Sequence, residues 1–150
     1  MTLETIMTKD PKCCSPEDTV QSVAQLMKNL DVGAIPVVSD QVSKRLLGII
    51  TDRDLCVTAL AEGKDPRITR IAPYFTKTVV TCMPGDTLEA CEQKMKLHRI
   101  RRIPVVDAKY TCLGIVVQAD LARVANPEVF KELVAEISTP RRMPMGVAVA

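Results

Sequence analysis

Apolar residues return at helical spacing at Val20, Val23, Ala24 and Met27, and again at Leu88, Cys91 and Met95. That period predicts two amphipathic helices, each with one face on a sheet. The pattern then changes to short apolar runs, Ala34–Val38 and Ile103–Val106, whose β-branched residues follow Pro36 and Pro104. A proline is tolerated at the start of a strand because its missing N–H lies at the edge of the ladder. A polar connection leads to a second run, Leu46–Thr51 or Cys112–Val117, so each pair predicts a hairpin. Thr51–Asp54 and Val117–Asp120 switch the pattern back to helix. Leu55, Val57, Ala59 and Leu60 carry the first closing helix, which ends near Gly63.

These elements are one pattern written twice. From Asp18/Asp86 to Val38/Val106 the copies run at a constant offset of 68, which falls to 66 from Gly48/Gly114 to Leu55/Leu121 because the first hairpin loop is two residues longer. An internal repeat dictates architecture and gives most residues a built-in comparison. Thr2–Met7 predicts a short opening helix, Ile68–Ala72 its counterpart, and Lys12–Ser15 a short strand. Asp18 and Asp86 each open a helix as a capping carboxylate, with Gln21 and Glu89 at the reciprocal position. Pro127–Ile137 reads as one more helix, and residues 138–150 as a loose tail. The class is therefore α/β (α+β), built of two β-α-β-β-α units at 1–68 and 69–126, with 127–150 as a C-terminal helix and tail.

With 150 residues in all, each unit of roughly 65–70 residues buries little surface alone, so the units are expected to share an interface. A formal charge of +2 is too small to argue for nucleic acid, and the only aromatics, Tyr74, Phe75, Tyr110 and Phe130, form no stacking platform beside a basic run. No apolar run reaches membrane-spanning length and no signal-peptide pattern opens the chain, which makes the cytoplasm the expected location. The six cysteines form no CxxC and sit mostly inside apolar patterns. They read as buried small hydrophobes, not as a disulfide framework or zinc site. Cys13 and Cys14 are the exception: neighbouring strand side chains point to opposite faces, so one of the two is expected to be open to reaction.

Val32–Val38 with Gly48–Asp54, and Arg99–Val106 with Gly114–Asp120, together resemble the cystathionine-β-synthase-type (CBS) domain. The segment around Met7 is similar to the one that precedes a first copy. The resemblance covers about residues 3–125, and the whole chain looks like a stand-alone tandem-CBS protein of the small bacterial type, which includes hypoxic-response relatives. It implies two units packed by their sheets about a pseudo-two-fold axis, clefts between them for an adenosine-containing ligand, and pairing into a homodimer. No separate cofactor is required. The implied ligand is AMP, ADP or ATP, or less readily S-adenosylmethionine. A regulated protein partner in trans follows from the absence of a fused effector, with no role for nucleic acid or membrane.

Carried onto this sequence, the resemblance places Thr51 against phosphate and Asp54 on the ribose diol. A carboxylate, having only acceptors, takes both hydrogen bonds of a cis-diol. Backbone N–H groups at the helix start beside Thr51 would face phosphate. Cys14, Ile35 and Pro36 would enclose the adenine. In the second copy Asp120 is retained, but Val117 replaces the hydroxyl, so unequal sites are expected with the Thr51/Asp54 site the stronger. Arg99 and Arg102, in the dense cluster with His98 and Arg101, are the expected phosphate contacts, and Arg53 is a further candidate. Three plainer readings stay open. Thr51 and Asp54 form a good helix cap whatever the protein binds, the arginine cluster suits a solvated helix end, and Arg53 suits a surface ion pair.

Catalysis has little support. His98 is the sole histidine, the serines lack a nucleophile elbow, and Asp52 and Asp54 point apart at a helix start. The expected function is a non-catalytic sensor that signals nucleotide occupancy to a partner. The alternative is a ligand-free structural or interaction module, redox- or stress-responsive.

Overall fold

The computed structural model describes residues 1–139, so the expected tail lies, from Pro140 on, outside the described residues. In chain order the elements are β1 (Thr8–Lys9), α1 (Val20–Leu30), β2 (Ala34–Val38), β3 (Leu46–Thr51), α2 (Asp52–Leu55), α3 (Leu88–His98), β4 (Arg102–Val106), β5 (Cys112–Val117), α4 (Gln118–Leu121) and α5 (Pro127–Ser138). They fall into two compact units. The first-repeat unit takes residues 10–79 and 107–112, and the second-repeat unit takes, among the described residues, 1–9, 80–106 and 113–139. Residues 1–9 therefore group with the second copy, and 69–79 with the first.

Helices α1 and α3 begin by the same device, one residue later than the sequence pattern suggests. Thr19 Oγ1 accepts from Ser22 N at 3.1 Å, and Thr87 Oγ1 from Ala90 N at 3.2 Å. The carboxylates expected to cap these helices turn back instead: Asp18 accepts from Ser15 N and Asp86 from Met83 N, each at 2.9 Å. The threonine sits at the helix boundary, so its short hydroxyl reaches the third amide, leaving the preceding aspartate to fasten the entering turn. Both helices stop at a left-handed residue, Asp31 (φ 53°) and Arg99 (φ 51°).

In the first-repeat unit, β2 and β3 pair antiparallel, with Ala34 opposite Thr51 and Val37 opposite Gly48. A bulge follows at Val37/Val38. Ile35, Val37 and Ile50 join Val20, Val23 and Met27 of α1 in one core. Each such side chain stabilises the fold by about 1.5–3 kcal/mol when fully buried. Lys12–Ser15 is not a strand: only Cys14 forms a bridge, parallel to Val37. Ile68–Ala72 is a run of turns, not the expected helix. Residues beside and within it instead complete the start of α1. Pro66 O and Thr69 O accept from Gln21 N and Val20 N, amides that α1 cannot satisfy internally. The closing helix is α only over α2 and widens to a π-helical turn at Cys56–Leu60 before Gly63 (φ 70°).

In the second-repeat unit a three-stranded sheet runs in the order β1-β5-β4. The chain's opening segment supplies β1, with Thr8 opposite Ile115 and Lys9 opposite Gly114. The opening helix is a single 3₁₀ turn, Leu3–Thr5. Met1 O accepts from Leu88 N, the counterpart of the Thr69–Val20 bond. Helix α5 lies against α3, and its Leu133 and Ile137 enter the core formed by Leu88, Met95 and Leu121.

Candidate functional site

The start of α2 is where the repeat's chemistry concentrates. Strand β3 delivers Thr51 in an extended conformation (φ −114°, ψ 161°), and the chain then turns into helix. Thr51 Oγ1 accepts from Asp54 N at 3.1 Å, and Asp54 Oδ2 accepts from Thr51 N at 2.9 Å. This reciprocal capping box fixes both side chains. Asp54 is 6 % exposed. Among the described residues no donor reaches its Oδ1. The Thr51 hydroxyl accepts within the box and keeps its own proton for an outside acceptor. The capping and binding readings of these two residues are thus compatible.

The remaining first-turn amides of α2 are already engaged. Asp52 N donates to Gly33 O at 3.0 Å and Arg53 N to Asp52 Oδ1 at 2.8 Å. No free N–H faces a phosphate beside Thr51 as the resemblance implied, because the Gly33 carbonyl and the Asp52 carboxylate occupy that space. Gly33's part leaves no mark in the sequence pattern, since it depends on the β2–β3 pairing.

The second copy keeps half of the device. Asp120 Oδ2 accepts from Val117 N at 2.9 Å. Val117 has no side-chain acceptor to return, so Asp120 N lacks the hydroxyl partner that Asp54 N has in Thr51. Gln118 N donates to Arg101 O at 2.8 Å, in the place of the Asp52–Gly33 bond.

The other expected site residues divide between the units. Cys14, Ile35, Pro36 and Arg53 lie with Thr51 and Asp54 in the first-repeat unit, and Arg99 and Arg102 lie with Asp120 in the second. Ile35 is 1 % exposed and packs in the core of its unit. Pro36 is buried too, and its carbonyl accepts from Cys14 N at 3.0 Å. Arg53 is exposed. Arg99 Nη2 stands 3.5 Å from Glu136 Oε1 of α5, which engages the guanidinium within its own unit. Arg102 is half-buried in β4 and His98 is exposed at the end of α3.

The paired cysteines differ from expectation, since Cys13 and Cys14 are both buried. The 107–112 loop belongs to the same unit, and its Cys112 hydrogen-bonds the face of Cys13 that strand alternation would have left open. Burial pushes the Cys14 thiol up to about 12, with the charge of Asp18 adding to the effect. Cys13 is drawn below the usual thiol range by its hydrogen bond with Cys112, against the opposing effect of burial. The exposed cysteine is Cys56. It stands at the start of the π-helical turn, where Ala59 is the buried residue.

The family model of the CBS domain matches residues 3–59 and again residues 71–126. The chain belongs to the CBS domain family. It is 40 % identical over 116 residues to the CBS domain-containing protein YhcV of Bacillus subtilis, covering 77 % of this chain and 79 % of that protein. The crystal structure of Hypoxic Response Protein I with two coordinated zinc ions is similar at a TM-score of 0.74 and 30 % identity, over 84 % of this chain and all of that one (100 %). The CBS domain pair of protein MJ0100, in complex with 5′-methylthioadenosine and S-adenosyl-L-methionine, matches at a TM-score of 0.72 and 27 % identity, over 83 % and 94 % of the two chains. This CBS pair has no cluster of three or more His, Cys, Asp or Glu side chains able to hold a metal among its described residues. Nor is any helix among them long and apolar enough to cross a membrane.

Proposed function

We propose that this CBS pair is a non-catalytic regulatory module that binds an adenosine compound and signals its occupancy, as a homodimer in the cytoplasm, to a partner protein. The observation that carries the reading is the carboxylate held identically in both repeats. Asp54 and Asp120 are each pinned at 2.9 Å by the backbone amide three residues earlier, which fixes one oxygen and orients the other. A carboxylate immobilised in this way meets a ribose diol at little further entropic cost. The similar CBS pair of MJ0100 in complex with 5′-methylthioadenosine and S-adenosyl-L-methionine supports the ligand class.

The engaged first-turn amides of α2 leave no backbone donor for a long phosphate chain beside Thr51. We therefore place compounds with few or no phosphates, AMP or S-adenosylmethionine, ahead of ATP. Isothermal titration with AMP, ATP and S-adenosylmethionine tests this on the wild type, D54A and D120A. Saturable binding of an adenosine compound, weakened more by D54A than by D120A, is expected. Silence from all three in folded protein free of co-purified nucleotide would leave the ligand-free interaction module as the better reading.

A further inference from the structure

The second repeat holds a thiol pair where the first repeat has a single thiol. Cys82 precedes α3 in a segment strapped to β4: its N–H donates to Pro104 O at 3.1 Å, and its carbonyl accepts from Val106 N at 2.9 Å. Lys94 Nζ donates to Thr81 O at 2.8 Å, which holds that segment against the turn of α3 running from Cys91 to Lys94. Residues three apart on a helix share a face. The Cys82 and Cys91 side chains meet there in a thiol hydrogen bond, within one buried core. The offset of 68 gives Cys14, Val23 and Leu26 as the counterparts of Cys82, Cys91 and Lys94. In the first repeat an aliphatic side chain thus replaces both the second thiol and the cation, and Cys14 Sγ faces Pro36 O at 3.8 Å.

The two sulfurs of the pair are unequal. Cys82 is drawn below the usual thiol range by its hydrogen bond with Cys91 and by the charge of Lys94, against the effect of burial. The same hydrogen bond, with burial, pushes Cys91 up. Cys82 therefore deprotonates first, and the thiolate is the form that reacts. It is buried, but Thr81 and Lys94 beside it are half-buried and Met83 is exposed. A small local opening admits a molecule the size of hydrogen peroxide.

We infer that Cys82 and Cys91 are a redox modification site that closes a reversible disulfide on meeting a hydroperoxide, with Cys82 the attacking thiol and Cys91 the resolving one. The Cys82 sulfur attacks one peroxide oxygen, the O–O bond breaks, and the leaving hydroxide takes up the Cys82 proton as water. The Cys91 sulfur then attacks the sulfenic sulfur, the S–O bond breaks, and hydroxide leaves with the Cys91 proton as a second water. The sulfurs together give up two electrons and the peroxide gains them. In the cytoplasmic setting proposed above, such a bond is transient and of the sensing kind. Cys82 is also the counterpart of Cys14, an expected adenine contact, so the bond forms at the matching position of the second repeat. Only that last consequence rests on the ligand reading.

The test treats the full-length protein with hydrogen peroxide, unfolds it in an alkylating reagent and digests it with trypsin, which releases residues 78–94 with Cys82 and Cys91 as their only cysteines. Mass spectrometry is expected to find this peptide unalkylated and lighter by the two thiol hydrogens, with both alkylation sites restored by dithiothreitol. C91V, which copies the first repeat, should stop at a Cys82 sulfenic acid that dimedone traps. K94L, again the first repeat's residue, should slow the oxidation severalfold as the cation beside the thiolate is lost. Circular dichroism checks that both variants are folded.

Full alkylation of both cysteines in a peptide whose exposed Met83 has already gained an oxygen overturns the proposal. So does a bond from Cys82 to any other cysteine, the absence of a dimedone adduct in folded C91V, or oxidation of K94L as fast as the wild type. None of these readouts uses a nucleotide, so failure here and failure of the ligand reading are told apart.

Discussion

Replacing Gly48 with alanine is expected to damage the protein far more than the same change at its repeat counterpart Gly114. A Cβ on Gly48 would lie 2.1 Å from the carbonyl oxygen of Thr76 and 2.6 Å from Phe75 Cδ2. Neither neighbour moves cheaply. Thr76 exchanges two backbone bonds with Ile49, at 3.0 and 2.9 Å, and Phe75 is part of the core. Relieving the contact breaks that pair of bonds, worth about 1 kcal/mol each, and displaces a packed ring at a further cost of about 1–3 kcal/mol. G48A should thus cost about 3–5 kcal/mol. At Gly114 the nearest atom is Met7 Sδ at 2.6 Å, the end of a flexible side chain, followed by Thr8 O at 2.9 Å. Methionine adapts readily, so G114A should cost about 1–2 kcal/mol. Urea unfolding followed by circular dichroism measures both, with the slope checked for separate transitions of the two units. A G48A variant no less stable than G114A would refute the reasoning. So would a loss below about 0.5 kcal/mol in both, the range of an ordinary surface change.

Further expectations follow from the same comparison of repeats. V117T gives the amide of Asp120 the hydroxyl acceptor it lacks and should stabilise by about 0.5–1 kcal/mol, while T51V should destabilise by about as much or more, both read by thermal melting of the ligand-free protein. Burial pushes the Glu92 carboxyl above its ordinary 4.5, with the charge of Glu89 adding to it, and Oε1 has no hydrogen-bond partner. The folded state then holds a proton that the unfolded state releases, so stability falls as pH rises from 4.5 through the raised value. E92Q should flatten that slope and be more stable than the wild type at neutral pH, since it removes the titrating charge; an unchanged pH profile would count against it. In native protein one thiol, Cys56, should react quickly with a thiol reagent and the five buried ones only on unfolding; fast labelling of Cys13 would reverse this.

The repeat made most of the fold legible in advance. Helices α1 and α3 and both hairpins lie where the apolar periods place them, because each buries one face and the period is a direct record of that face. What the sequence concealed depends on contacts made far along the chain. Residues 1–9 extend the second sheet, and the turns near Thr69 serve as acceptors for α1; neither role leaves a periodic trace. The thiol of Cys13 is covered by a loop from the other end of the chain's repeat, which strand alternation alone could not foresee. The cap of α2 was legible because Thr51 and Asp54 form it by themselves, whereas the engagement of the neighbouring amides needed Gly33 to be brought alongside. Glu92 shows how the repeat itself could have said more. A glutamate aligned with an alanine on a helix face is a local oddity, and in the fold it is buried on α3, the helix against which α5 packs. The departures between the copies, Val117 for Thr51 and Glu92 for Ala24, thus mark where two units built alike differ in the cap of a helix and in the burial of a helix face.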